Sequence, residues 1–185
     1  MARIKSAWEI ALEKTQDIEI DETKYRTDTL TKKGMALAGG YLNNTDQKLD
    51  VIASKYASYS AEDRTLVRAG MVSTILSNVS LPSDELYEMR FSRTCDLVNL
   101  VTDNDPQADG LMHQIGDFFK QYLEATTAFV ERMKAQIQQA AENNPDGVNP
   151  SQYSQLISQN LKKMDAQYSD ALENTKETLR ELLEA

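Results

Sequence analysis

Cysteine and histidine are almost missing from this chain, which has one of each, Cys95 and His113. A lone cysteine excludes an internal disulfide and a Cys-based zinc site. Placed in an apolar helical pattern, it is expected to be a buried, inert thiol. A lone histidine excludes the paired Glu-x-x-His motifs of a di-iron bundle, and the position three before it is Gly110. A Ser-His-Asp triad would have to use His113, yet no Gly-x-Ser-x-Gly elbow is present. Positive charge is scarce too: 20 Lys and Arg against 29 Asp and Glu leave a net charge of -9. That argues against nucleic acid or an anionic membrane surface as the main partner, since both require clustered cations. The longest apolar run, within "GMALAGGYL", is about half of what a bilayer span needs. The opening residues meet Glu9 and Glu13 before any apolar run, so no signal peptide is expected. The chain reads as cytoplasmic.

Strand signals are nearly absent, with "QDIEID" (16–21) the one hint of an extended segment. Helix signals fill the rest. Ser6 with Glu9 forms a capping box, and Asp21 can cap a second helix. Ser60 with Asp63 opens another helix, and Ser83 with Asp84 and Glu85 a further one. Asp105 precedes Pro106, the residue favoured at a first helical position. From Pro106 to about Asn143 only Gly110 and Gly116 interrupt the pattern. Leu111, Ile115, Phe118, Tyr122, Ala125, Phe129, Gln136 and Ala140 keep close to a 4-3 spacing. The turn chemistry of Pro145-Asp146-Gly147 follows, then Asn149 and Pro150 start the last helix. Its stripe is Ile157, Leu161, Met164, Tyr168, Ala171, Thr175, Leu179 and Leu182.

These signals predict an all-α fold: a helical bundle of five or six helices with a long C-terminal antiparallel α-hairpin of coiled-coil character. Residues 1–105 form a cluster of shorter helices and 106–185 the hairpin, together one structural unit. Two helices of roughly 35 residues would each be about 50 Å long. Heptad spacing over that length implies coiled-coil packing. The stripe is poor, because Thr, Gln, Ala and Tyr stand where Leu would be strongest. Either the other helices or a second copy must cover it.

The stretch "KKGMALAGGYLNN" (32–44) has the glycine spacing of a phosphate-binding loop at Gly34 and Gly39. The mechanism is absent: the position of the phosphate-binding lysine is Gly40, and polar "RTDTLTKK" stands where a strand should precede. Gly34, Gly39 and Gly40 are read as a structural joint, with tight helix packing up to Ala38 and a bend or break at Gly39-Gly40. "DNDPQADG" (103–110) gathers three carboxylates, but Pro106 interrupts it and the closing Glu of a calcium loop is missing. Its aspartates are read as helix caps. Glu173, Glu177, Glu181 and Glu184 read as a solvated face.

"IKSAWEIALEKTQDI" (4–18) resembles the opening of an uncharacterised family of short bacterial cytosolic helical proteins. The resemblance implies a protein of unknown function and carries no site residues across. The chemistry above points to no catalytic, cofactor-binding or metal-binding residue. The leading expectation is a non-enzymatic interaction or scaffold protein that self-associates or docks a protein partner through the hairpin, with Trp8, Phe118, Tyr122, Phe129, Met164 and Tyr168 as interface candidates. The alternative is a small-ligand-binding or regulatory module with a pocket among the N-terminal helices. Tyr25, Tyr41, Tyr56, Tyr59 and Tyr87 are its candidate lining, although tyrosines also suit the wet edge of a core.

Overall fold

Short polar side chains start three of the helices. The computed structural model describes residues 21–143 and 150–185, so Trp8, the first capping box and the Pro145-Asp146-Gly147 turn lie outside it. Asp21 accepts the Lys24 backbone N–H at 3.0 Å and opens α1, Glu22–Asn43. After α2, Leu49–Ala57, the Ser60 hydroxyl accepts the Asp63 N–H at 3.2 Å and opens α3, Ala61–Asn78. The helix expected from Ser83 begins later, as α4, Tyr87–Val101. Asp84 is engaged differently: its carboxylate accepts the Leu86 N–H at 2.9 Å and an Arg90 Nη2 at 2.9 and 2.8 Å. These bonds hold the chain in a turn ahead of the helix, and Arg90 keeps the Asp84 carboxyl below its usual range.

Just beyond the end of α4 come Asp103 and Asn104, both left-handed at φ 52° and 62°. Asp and Asn tolerate that region better than other side chains. The Asn104 N–H reaches back to the Asn99 carbonyl at 2.8 Å, which satisfies one of the orphan acceptors of the helix end. Asp105 then accepts the N–H groups of Gln107 and Ala108 at 2.6 and 3.1 Å. It opens α5, Pro106–Asn143, and α6 follows as Pro150–Glu184. No strand occurs among the described residues.

α3 is the central element, packed on α1, α2, α4 and α6. Its closest neighbour is α1, and glycine is the reason. A Cβ added at Gly34 would fall on the Val67 carbonyl oxygen, 2.8 Å from its carbon and 3.1 Å from Gly70 Cα. One added at Gly70 would fall on the Thr31 carbonyl oxygen, 2.9 Å from Met35 N. The two backbones therefore touch where both side chains are hydrogen. The expectation of a bend at Gly39-Gly40 is corrected. α1 runs through both glycines to Asn43, no glycine among the described residues has positive φ, and nothing lies within 4 Å of a Cβ at Gly39. The tight contact lies one turn earlier, at Gly34, so the half-buried pair Gly39-Gly40 has no cause to break the helix.

One continuous core runs through the bundle. It joins Val67, Met71 and Ile75 of α3 to Leu97 and Val98 of α4, Met112 and Ile115 of α5, and Leu179 and Leu183 of α6. The base of the hairpin thus shares its core with the shorter helices. The buried stripe of α5 is Ala108, Met112, Ile115, Phe119 and Tyr122. This corrects the expected stripe by one residue, since Leu111 and Phe118 are half-buried and Gln136 is exposed. α5 lies between two neighbours: Phe119 meets Phe91 of α4 edge-on at 5.2 Å, while Phe118 packs on Tyr168 of α6 at 5.3 Å. In α6, Ala171 is exposed and Leu172 takes its place in the core.

Candidate functional site

Beyond the core the hairpin continues as an arm. Past Tyr122 on α5, and before Leu172 on α6, no described residue is buried. The 21 residues from there to Asn143 make the arm about 30 Å long. On α5 the same spacing that is buried at the base continues through Thr126, Phe129, Met133, Ile137 and Ala140, all half-exposed. Ile157, Leu161 and Met164 line the α6 side, also half-exposed, and Leu156 is 45% exposed. Two helices alone cannot enclose an apolar seam, whereas a third or fourth helix does so at the base.

The expected interface residues divide accordingly. Phe118, Tyr122 and Tyr168 come together where the arm leaves the bundle, Tyr122 edge-on to Tyr168 at 5.2 Å. The Tyr122 hydroxyl donates to Asp165 at 2.8 Å, and burial together with that bond pushes its pKa up to about 12. This cluster ties α5 to α6, with Tyr122 buried and Phe118 and Tyr168 half-buried. Phe129 and Met164 lie on the arm, and Trp8 is outside the described residues.

The five candidate pocket tyrosines take separate roles. Tyr25 is 67% exposed. Tyr41 is buried, and its hydroxyl donates to Asp96 at 2.6 Å while the Arg93 guanidinium lies 3.7 Å above its ring. Burial, then the Asp96 bond, raise its pKa to about 12. Tyr56 lies half-buried under Arg64, Tyr59 is half-buried, and Tyr87 borders a cavity between α4 and α5.

That cavity, about 360 Å³, has Phe91, Met112 and Phe119 as its apolar floor and Glu88, Asp117 and Lys120 on its rim. Lys120 already pairs with Asp117 at 3.1 Å. Cys95 borders it, with burial pushing its thiol up to about 11, so it is protonated at neutral pH and a poor nucleophile. His113 is exposed, and its Nδ1 lies 2.9 Å from the Asp109 carbonyl oxygen. Among the described residues, no three His, Cys, Asp or Glu side chains are grouped to hold a metal ion.

A second cavity, about 510 Å³, lies between α3 and the end of α6. It brings together Arg68, Lys176 and Arg180, which the sequence analysis did not single out. Arg68 stands 108 residues before Lys176, so no local pattern joins them. The one available signal was two cations, Lys176 and Arg180, at helical spacing among the glutamates near the end of the chain.

No described helix is long and apolar enough to cross a membrane. Neither the curated proteins nor the solved structures contain a match to this chain. Residues 53–181, from within α2 nearly to the end of α6, match a family of unknown function, DUF6657. The match leaves out both the resemblance at 4–18 and all of α1, but it covers more than half of the chain, which therefore belongs to that family.

Proposed function

We propose that this is a non-enzymatic helical scaffold protein of the bacterial cytoplasm that self-associates through its hairpin arm. The observation that carries the reading is the change in burial along one continuous stripe. At the base, Met112, Ile115 and Phe119 are at most 2% exposed. Farther along the same helix, Met133 and Ile137 stay half-exposed. Residues that alternate in heptad fashion and remain half-covered are those a four-helix seam would enclose. A second copy of the arm suits the charge. Residues 123–171 carry six carboxylates and four Lys or Arg, so most of the excess negative charge of the chain lies elsewhere. Two arms can therefore meet without strong repulsion.

The surroundings of Cys95 and His113 suit the same reading. The thiol of Cys95 is held protonated, and His113 sits on an open helix face. Light scattering over a concentration series tests the proposal. The wild-type chain should form a dimer, and Met133→Lys with Ile137→Lys should return it to monomer while helicity and thermal melting of the bundle stay nearly unchanged. A wild-type monomer at every concentration, or a dimer that survives both lysines, would overturn it.

A further inference from the structure

The groove between α3 and α6 gathers positive charge on a protein whose net charge is -9. Arg68 comes from α3, and Lys176 and Arg180 come from α6. Glu184 is the one carboxylate on the lining. Glu173 and Glu177 pair with Lys176 and Arg180 at 2.8 Å each, from their own helix and 68% and 62% exposed. The Arg180 pair is exposed on both sides and contributes little, whereas the Lys176 side chain is only 19% exposed and holds its ammonium at the groove.

Arg68 is in a different position. Its Nε is sealed from solvent and has no hydrogen-bond partner, and no ion pair to its guanidinium is found among the described residues. Arg64, one turn earlier, also has an unpartnered Nε, but its Nη2 donates to the Ala57 and Tyr59 carbonyls at 2.9 and 3.1 Å. The Arg64 guanidinium is thus held by main-chain carbonyls, whereas that of Arg68 makes no such bond among the described residues, although its charge acts on the Tyr56 hydroxyl. The Nη groups of Arg68 are not sealed in this way, and at an open cavity they are the donors that an anion with several oxygens would engage.

We propose that this groove binds an organic phosphate monoester. Three cations exceed what a single carboxylate needs, whereas a phosphate has the charge and three acceptor oxygens to engage a planar guanidinium and an ammonium together. The floor is apolar, made by Val72, Leu76 and Leu183, so the ester carries an apolar group that lies against it. The volume of about 510 Å³ falls in the range of small-molecule sites.

Calorimetry and thermal melting with two probes, phenyl phosphate and inorganic phosphate, test this on the full chain. Phenyl phosphate should bind and raise the melting temperature, and inorganic phosphate should bind more weakly because it leaves the floor uncovered. Arg68→Met should weaken phenyl phosphate by about tenfold or more and should melt no lower than wild type without ligand, since it removes an unmade donor. Arg132→Gln, on the arm, should leave binding unchanged. Should Arg68→Met fail to fold, Lys176→Met with Arg180→Met reads the same loss from the α6 side of the groove. Failure of phenyl phosphate to bind, equal binding in wild type and the groove variants, or equal affinity for both probes would each overturn the proposal.

Discussion

Replacing Gly34 by alanine should destabilise the protein, although alanine is the better helix former. The new methyl carbon would stand 2.8 Å from the Val67 carbonyl carbon and 3.1 Å from Gly70 Cα, and nearer still to the Val67 oxygen. All of these atoms are backbone, so no side chain can swing aside. Relief requires α1 to move away from α3 along their tightest contact. Overpacking of this kind costs about 1–3 kcal/mol, and rigid backbone on both sides puts the cost at or above the upper end. Against it stands a helix-propensity gain of roughly 1 kcal/mol. The net loss is about 2 kcal/mol, which in a chain of this size lowers the melting temperature by roughly 4–8 °C. Gly39→Ala, five residues along the same helix, meets open space and keeps only the gain. It should stabilise by about 0.5–1 kcal/mol. Urea denaturation followed by circular dichroism measures both. Gly34→Ala as stable as wild type would refute the backbone-contact reasoning, and so would equal shifts of the two variants.

Arg93 donates from Nε to the Tyr41 carbonyl at 2.8 Å and from Nη2 to the Asn44 and Gln47 carbonyls at 2.9 and 2.7 Å, which fastens the end of α1 and the following turn onto α4. Arg93→Lys keeps the charge but not the fork, and should cost about 1.5–3 kcal/mol in urea denaturation. The hydroxyls of Tyr41 and Tyr122 both titrate near 12 in the folded chain, against 10.0 ordinarily. The folded state holds these protons more tightly, so their stabilisation is complete below pH 10 and is lost as pH rises from 10 to 12. Tyr41→Phe with Tyr122→Phe should flatten the fall in melting temperature over that window. Cys95, with its thiol pushed up to about 11 by burial, should react with iodoacetamide at neutral pH far more slowly in the folded chain than in urea.

Much of the architecture was legible because its signals are local. Asp21, Ser60 and the Asp105-Pro106 pair mark helix starts that the structure contains. Ser83 misled because the neighbouring Asp84 is drawn to Arg90, six residues ahead, and closes a turn first. The register of α5 was ambiguous for a packing reason. A helix held between two neighbours buries a broad face, and adjacent pairs such as Phe118 and Phe119 each find a partner on a different side. The role of Gly34 depends on Gly70, a second glycine on another helix, and periodicity carries no record of which helices touch. The cationic groove was hidden for the same reason, since it exists only where α3 and the end of α6 are brought together.

α5 is a single unbroken helix of 38 residues, with its first half in the bundle and its second half in the arm. That continuity makes it a lever with its fulcrum at the aromatic cluster around Tyr122. A tilt of about 5° at that point would carry the tip of an arm about 30 Å long through roughly 2.6 Å. Conversely, whatever grips the tip acts with mechanical advantage on Met112, Ile115 and Phe119, the side chains that lock α5 into the bundle. Load on the arm is thereby delivered to the α4–α5 contact.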